Sequence, residues 1–200
     1  MGFLDTILGR GKPVRPDLDQ LFGLPAAAIT LQAGAGFAPT GVGSVCFASV
    51  EGGAFAQLQR DVRELLDADT GRGGIPVEFS RDAYGYTWLL ARQPASDTAS
   101  LVNDLHAVNT LLQDGGFGPQ LLCSLIVFRE AAGERTLALV YLYKRGTFYP
   151  FVPLPGATER RDNALELQIR TLLADDVRME EDLARWFPVW GAPGLTGEAD

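Results

Sequence analysis

Residues 121–151 read LLCSLIVFREAAGERTLALVYLYKRGTFYPF, and this stretch decides the architecture. Segments 121–129 and 136–144 are apolar at successive positions rather than at alternate ones, the pattern of strands covered on both faces. They contain Ile, Val, Phe, Thr and Tyr, and the polar run 130–135 between them has the composition of a turn. Arg145-Gly146 supplies a second tight turn into a third strand at 147–152. The expectation is an internal antiparallel pair extended by a third strand.

Working outward, Ser96 or Asp97 suits an N-cap. Leu101, Val102, Leu105, Val108, Leu111 and Leu112 then form an apolar helical stripe that ends near Gly115-Gly116. Upstream, 77–79 and 86–91 read as strands joined by a turn at 82–85. Phe55, Leu58, Val62, Leu65 and Leu66 share one face of a helix. A strand is expected at 43–50. Glycine and proline dominate 28–43, leaving room for a short strand at 29–32 and a loop, while 17–24 makes one or two helical turns stopped by Pro25. Downstream, a break at 153–156 precedes a helix at 163–174 buried through Leu165, Ile169, Leu172 and Leu173, and Trp186-Phe187-Pro188-Val189-Trp190 reads as an apolar anchor. Hairpins separated by helices imply an α+β fold, a mostly antiparallel sheet with helices packed on it. The domain reading is an amphipathic arm at 1–12, a single domain at 13–190 and a flexible tail at 191–200.

The 200 residues carry a formal net charge of −8, which argues against nucleic acid as a partner because phosphate binding needs a basic face. Cys46 and Cys123 lie in apolar stretches and read as reduced core residues. The sequence opens without a secretory signal pattern, so a cytoplasmic location is expected, and Pro25, Gly34, Gly36 and Pro39 break the charge-free stretch 20–50 as a membrane span. His106 is the only histidine, there is no CxxC or HExxH motif, and no metal or cofactor is expected. The spacing of Gly34, Gly36, Gly41 and Gly43 fits neither dinucleotide nor P-loop patterns. Asp175, Asp176, Glu180, Glu181 and Asp182 read as a solvated acidic face.

Three candidate sites remain. Phe3, Leu4, Ile7 and Leu8 at helical spacing, with Arg10 beside them, suit a partner helix or an anionic membrane surface at the inner face of the membrane, or else dock the arm onto its own domain. Lys144, Arg145 and Tyr149 at a hairpin end, with Arg160 and Arg161 nearby, suit an anion or a protein partner; the alternative pairs these arginines with Glu159 and Asp162. A groove joining His106, Arg145, Tyr149 and Arg161 would serve a small ligand or an enzyme, provided these segments converge. Asn103, His106 and Asn109 share a helix flank and either line such a groove or face water. No constellation of catalytic residues is legible, which favours a non-enzymatic binding protein.

Strings spread over nearly the whole chain carry a resemblance: MGFLDTILGRGKPVRP at the start, PTGVGSVCF at 39–47, SRDAYGYTWLL at 80–90, DLHAVNTLLQDGGFGPQLLCSL at 104–125, LALVYLYKRGTFYPF at 137–151, RRDNALELQ at 160–168 and RWFPVWGAPGL at 185–195. Together they resemble the actinobacterial PspAB family, phage-shock-protein-A-associated proteins. The resemblance implies an accessory, adaptor-type role in envelope stress, with a PspA-type effector or an HtpX-like membrane protease as the protein partner. The order of elements is also similar to the α+β fold of secretion chaperones and YbjN-like proteins, a likeness of fold alone.

Overall fold

The computed structural model describes residues 16–48, 52–67, 77–156 and 159–195. Six antiparallel strands form one sheet: β1 (Phe37–Ala48), β2 (Glu78–Arg81), β3 (Tyr86–Arg92), β4 (Leu121–Glu130), β5 (Thr136–Leu142) and β6 (Thr147–Phe151), in the order β2-β3-β1-β4-β5-β6. Among the described residues, four α-helices accompany it: α1 (Leu24–Ala35), α2 (Gly53–Asp67), α3 (Thr98–Leu112) and α4 (Asn163–Leu172). The α+β expectation is met, and the meander β4-β5-β6 follows the expected pairing.

Successive apolar positions in β4 and β5 divide between two cores. Leu137, Leu139, Tyr141, Ile126 and Phe128 face the helices, where Leu101, Leu105, Val108, Leu31 and Ile169 meet them. Cys123, Leu125, Val127, Ala138 and Val140 face the other way, where no α-helix packs among the described residues; Trp186, Val189, Ala192 and Leu195 cover them instead. The segment 186–195 is therefore an irregular strap across the second face. It includes residues that the sequence reading assigns to a tail beginning at Gly191.

Three local expectations are corrected. Residues 29–32 belong to α1, not to a strand. Pro25 does not stop a helix but opens one, since it sits in the first turn, where no backbone N–H is required, and Ala26, Ala27 and Ala28 propagate it. The preceding residues make a 3-10 turn, Leu18–Gly23, that runs directly into α1. The expected loop before the strand at 43 is the first part of β1, which begins at Phe37 and accommodates Pro39 through a register shift between Pro39 and Gly43. α3 is capped as expected, with the Asp97 carboxylate accepting from the Ser100 N–H at 3.0 Å. The arm residues Phe3, Leu4, Ile7, Leu8 and Arg10, the end of the expected strand at Val50, the Phe55 side chain and residues 196–200 lie outside what the structure describes. Among the described residues, no helix is long and apolar enough to cross a membrane.

Candidate functional site: a cleft beneath the strap

The face that the helices leave bare holds a cleft of about 600 Å³. Its floor follows from strand register. Trp88 on β3 is opposite Cys46 on β1, Cys46 is opposite Cys123 on β4, and Cys123 is opposite Leu142 on β5. Tyr149 on β6 extends the floor, and residues Phe187, Pro188, Val189, Trp190 and Gly191 of the strap form the opposite wall. The lining is largely apolar, with polar groups gathered at the mouth: Asp82, Tyr84, Tyr86, Lys144, Arg145 and Arg185.

Each wall is fixed by identifiable bonds. Asp82 organises the β2–β3 hairpin: its carboxylate accepts from the N–H groups of Tyr84 and Tyr86, both at 2.9 Å, and from the Trp88 indole N–H at 2.8 Å. The strap passes so close to Asp82 that a Cβ on Gly191 would lie 2.7 Å from the Asp82 Cβ, which explains a glycine at that point. Tyr149 donates to the Phe187 carbonyl at 2.8 Å and stacks on Trp186 with ring centres 6.0 Å apart. Arg161 donates to the Trp186 carbonyl at 2.8 Å, and Thr136 to that of Leu195 at 2.7 Å. Trp190 meets Phe151 edge-on at 4.7 Å.

The structure brings Lys144, Arg145 and Tyr149 together on the cleft and places Arg160, Arg161 and His106 elsewhere. Arg161 is a clamp rather than an open cation. Its guanidinium pairs with Glu166 at 2.8 Å and lies 4.8 Å from the centre of the Phe151 ring, so its partner is not the adjacent Asp162. Arg160 is exposed and does not line the cleft. Glu159, the other neighbour expected to pair, accepts from the Tyr84 hydroxyl at 2.6 Å. His106 sits on α3 with its ring 4.9 Å from that of Phe22 and its Nε2 3.9 Å from Asp19. It belongs to the helical side of the sheet, and the expected groove with Arg145 does not include it. Asn109 is buried, donating to the Leu105 carbonyl at 2.7 Å and to the Ser124 hydroxyl at 2.8 Å, so it neither faces water nor lines a groove.

Glu180 departs from the expected solvated acidic face, which Asp175, Glu181 and Asp182 keep by being exposed. It is only 2% exposed and accepts from Thr147 at 2.7 Å and from Arg145 at 3.2 Å. Burial alone would push its carboxyl up, yet bonds from Thr147, the Asp182 N–H and Arg145 overcome this and hold it below the usual range. Glu166 is displaced upward because burial outweighs its bonds to Arg161 and the Val152 N–H. Cys46 is pushed far above the ordinary thiol range by its hydrogen bond to Cys123, with burial behind that. Desolvation likewise raises the Tyr149 hydroxyl.

Sequence reasoning missed Asp82, Trp88, Leu142 and most of the strap as parts of one site. The dense aromatic pattern at 186–190 is one advance signal, and on sequence it reads as an anchor without a destination. Among the described residues, no group of three or more His, Cys, Asp or Glu is placed to hold a metal ion. The arrangement suits non-covalent capture of an apolar group whose flanks are polar.

Comparison with known proteins gives a consistent frame. No curated protein and no solved structure matches the chain. A family model described as PspAB, PspA associated protein B, matches residues 1–194, nearly the full length that carries both the sheet and its strap; the chain belongs to the PspAB family.

Proposed function

We propose that this protein is a non-enzymatic accessory protein of a phage-shock-type envelope stress system, and that it receives an apolar segment of a PspA-type effector in the cleft beneath the strap. The family description, PspA associated protein B, supplies the partner class. The observation that carries the reading is the cleft itself: an apolar floor bordered by Phe187, Tyr84 and Tyr86, which are 59%, 56% and 42% exposed. Exposed aromatic side chains around a concave apolar surface are the usual anchors of protein recognition. Lys144, Arg145 and Arg185 beside Asp82 give the mouth both signs of charge, which suits a partner whose apolar residues are flanked by charged ones. Contact of the arm, through Phe3, Leu4, Ile7, Leu8 and Arg10, with an anionic membrane at its cytoplasmic face belongs to the same proposal, as does an HtpX-like protease as a further partner.

The test is titration of the purified chain with the PspA-type effector of the same bacterium, followed by calorimetry. Phe187→Ser and Tyr86→Ser each expose less apolar surface and touch little of the core. Each is expected to weaken binding about tenfold while leaving the melting temperature unchanged. Absence of binding between the native proteins, or binding indifferent to both substitutions, sinks the reading. The cleft's volume also lies in the range of small-ligand sites. A chain that ignores the effector but binds a small apolar dye, with Trp88 and Trp190 fluorescence changing, would establish that second use.

A further inference from the structure

The sequence contains two cysteines, and the fold places them directly opposite each other on neighbouring antiparallel strands. Such partners have Cα atoms about 4.5–5.5 Å apart, inside the window of about 4.4–6.8 Å that a disulfide spans. Both side chains project from the same face of the sheet, and both are free thiols close enough to share a hydrogen bond. Packing alone asks only for two small apolar residues at these positions. It gives no reason for both to be sulfur.

Both cysteines are buried, 4% and 7% exposed, yet both line the cleft. Cys46 and Cys123 lie on the floor of the cleft, between Trp88 and Leu142, and the cleft opens past exposed Tyr86 and Phe187. A small reagent seated in the cleft lies against both residues. We propose that Cys46 and Cys123 are a redox modification site, a dithiol that a small-molecule disulfide converts through the cleft into a cross-strand disulfide.

The chemistry balances with that reagent alone. One cysteine, as thiolate, attacks a sulfur of the reagent disulfide, forming a mixed disulfide and expelling one reagent thiolate, which takes up the proton released. The second cysteine, losing its own proton, attacks the cysteine sulfur of the mixed disulfide and expels the second reagent thiol. The two cysteines are oxidised by two electrons, and the reagent is reduced to two thiols. Because the thiolate is the attacking form and the Cys46 thiol is held protonated, the reaction quickens as pH rises.

The experiment uses the intact reduced chain alone, so its outcome is independent of effector binding. The protein is incubated with excess cystamine under native conditions at pH 7 and pH 8.5, quenched by acid, and weighed intact. The expected product has lost about 2 Da, yields a single cross-linked peptide containing Cys46 and Cys123, and reverts with dithiothreitol. Cys46→Ser and Cys123→Ser chains are expected to stop at one mixed disulfide, which shows that each thiol is reached from the cleft. Two stable mixed disulfides on the native chain, or two untouched thiols at both pH values, would overturn the proposal.

Discussion

Glu180 shows how far a residue's role depends on what the fold places around it. In the sequence it is one acid in a charged run, whereas in the structure it is buried against Thr147 and Arg145 at the edge of β6. Its carboxyl is held below the ordinary value of 4.5, so the folded state prefers the ionised form more strongly than the unfolded chain does. That preference stabilises the fold at pH values above about 4.5, and it is lost as pH falls toward and through the lowered folded value. Glu180→Gln is therefore expected to cost about 1–3 kcal/mol at neutral pH. The gap between the two proteins should narrow progressively below about pH 4.5, read as urea unfolding free energy at a series of pH values. A gap that stays constant down to pH 3 would contradict the assignment. Arg161 follows the same logic. Its near neighbours Asp162 and Glu159 were the natural partners on sequence, but α4 brings Glu166 around to face it, and the pair ends up clamping the strap through the Trp186 carbonyl.

At the level of elements, β1 owes its path to one glycine. Gly41 has φ of +78°, and a Cβ there would lie 2.0 Å from the Gln93 carbonyl oxygen, which itself belongs to rigid backbone. Gly41→Ala combines an unfavourable left-handed conformation with a clash that no side-chain rotation relieves, so a loss of about 2 kcal/mol or more is expected in denaturant unfolding. A loss below about 0.5 kcal/mol would mean that the strand relaxes around the site.

Elements with strong internal signals were legible without the structure. α3 announced itself through its stripe and its Asp97 cap, and β4 and β5 through apolar runs too short for buried helices. α1 was not legible, because Pro25, Gly34 and Gly36 carry the composition of a loop. Their effect depends on position: Pro25 opens the helix, and Gly34 lets it lie close to Leu172 of α4. The cleft was legible only in fragments. Lys144, Arg145 and Tyr149 share one hairpin, but Asp82, Trp88 and the strap reach them only through sheet register and a long-range return of the chain. No periodicity encodes such a return.

The whole molecule is asymmetric about its sheet. Helices α1, α3 and α4 seal one face with regular hydrogen-bonded structure, while the other face is closed by residues 186–195, held through a few long-range bonds and the burial of Trp186, Val189, Ala192 and Leu195. A cover built this way opens at lower free energy than the strands beneath it. Amide hydrogen exchange followed by mass spectrometry is expected to be faster in peptides from 186–195 than in peptides from 121–142. Equal protection of the two would show that strap and sheet open as one unit.

The same asymmetry bears on how the chain is made. The strap is translated after every strand it covers, so before residues 186–195 are in place the sheet can already have formed with Trp88, Leu125, Val127 and Val140 bare on one side. During that interval the nascent protein displays an uncovered apolar face, the surface that chaperones hold and that proteases of the quality-control system sense. A product ending before residue 186 would leave this apolar face without its cover.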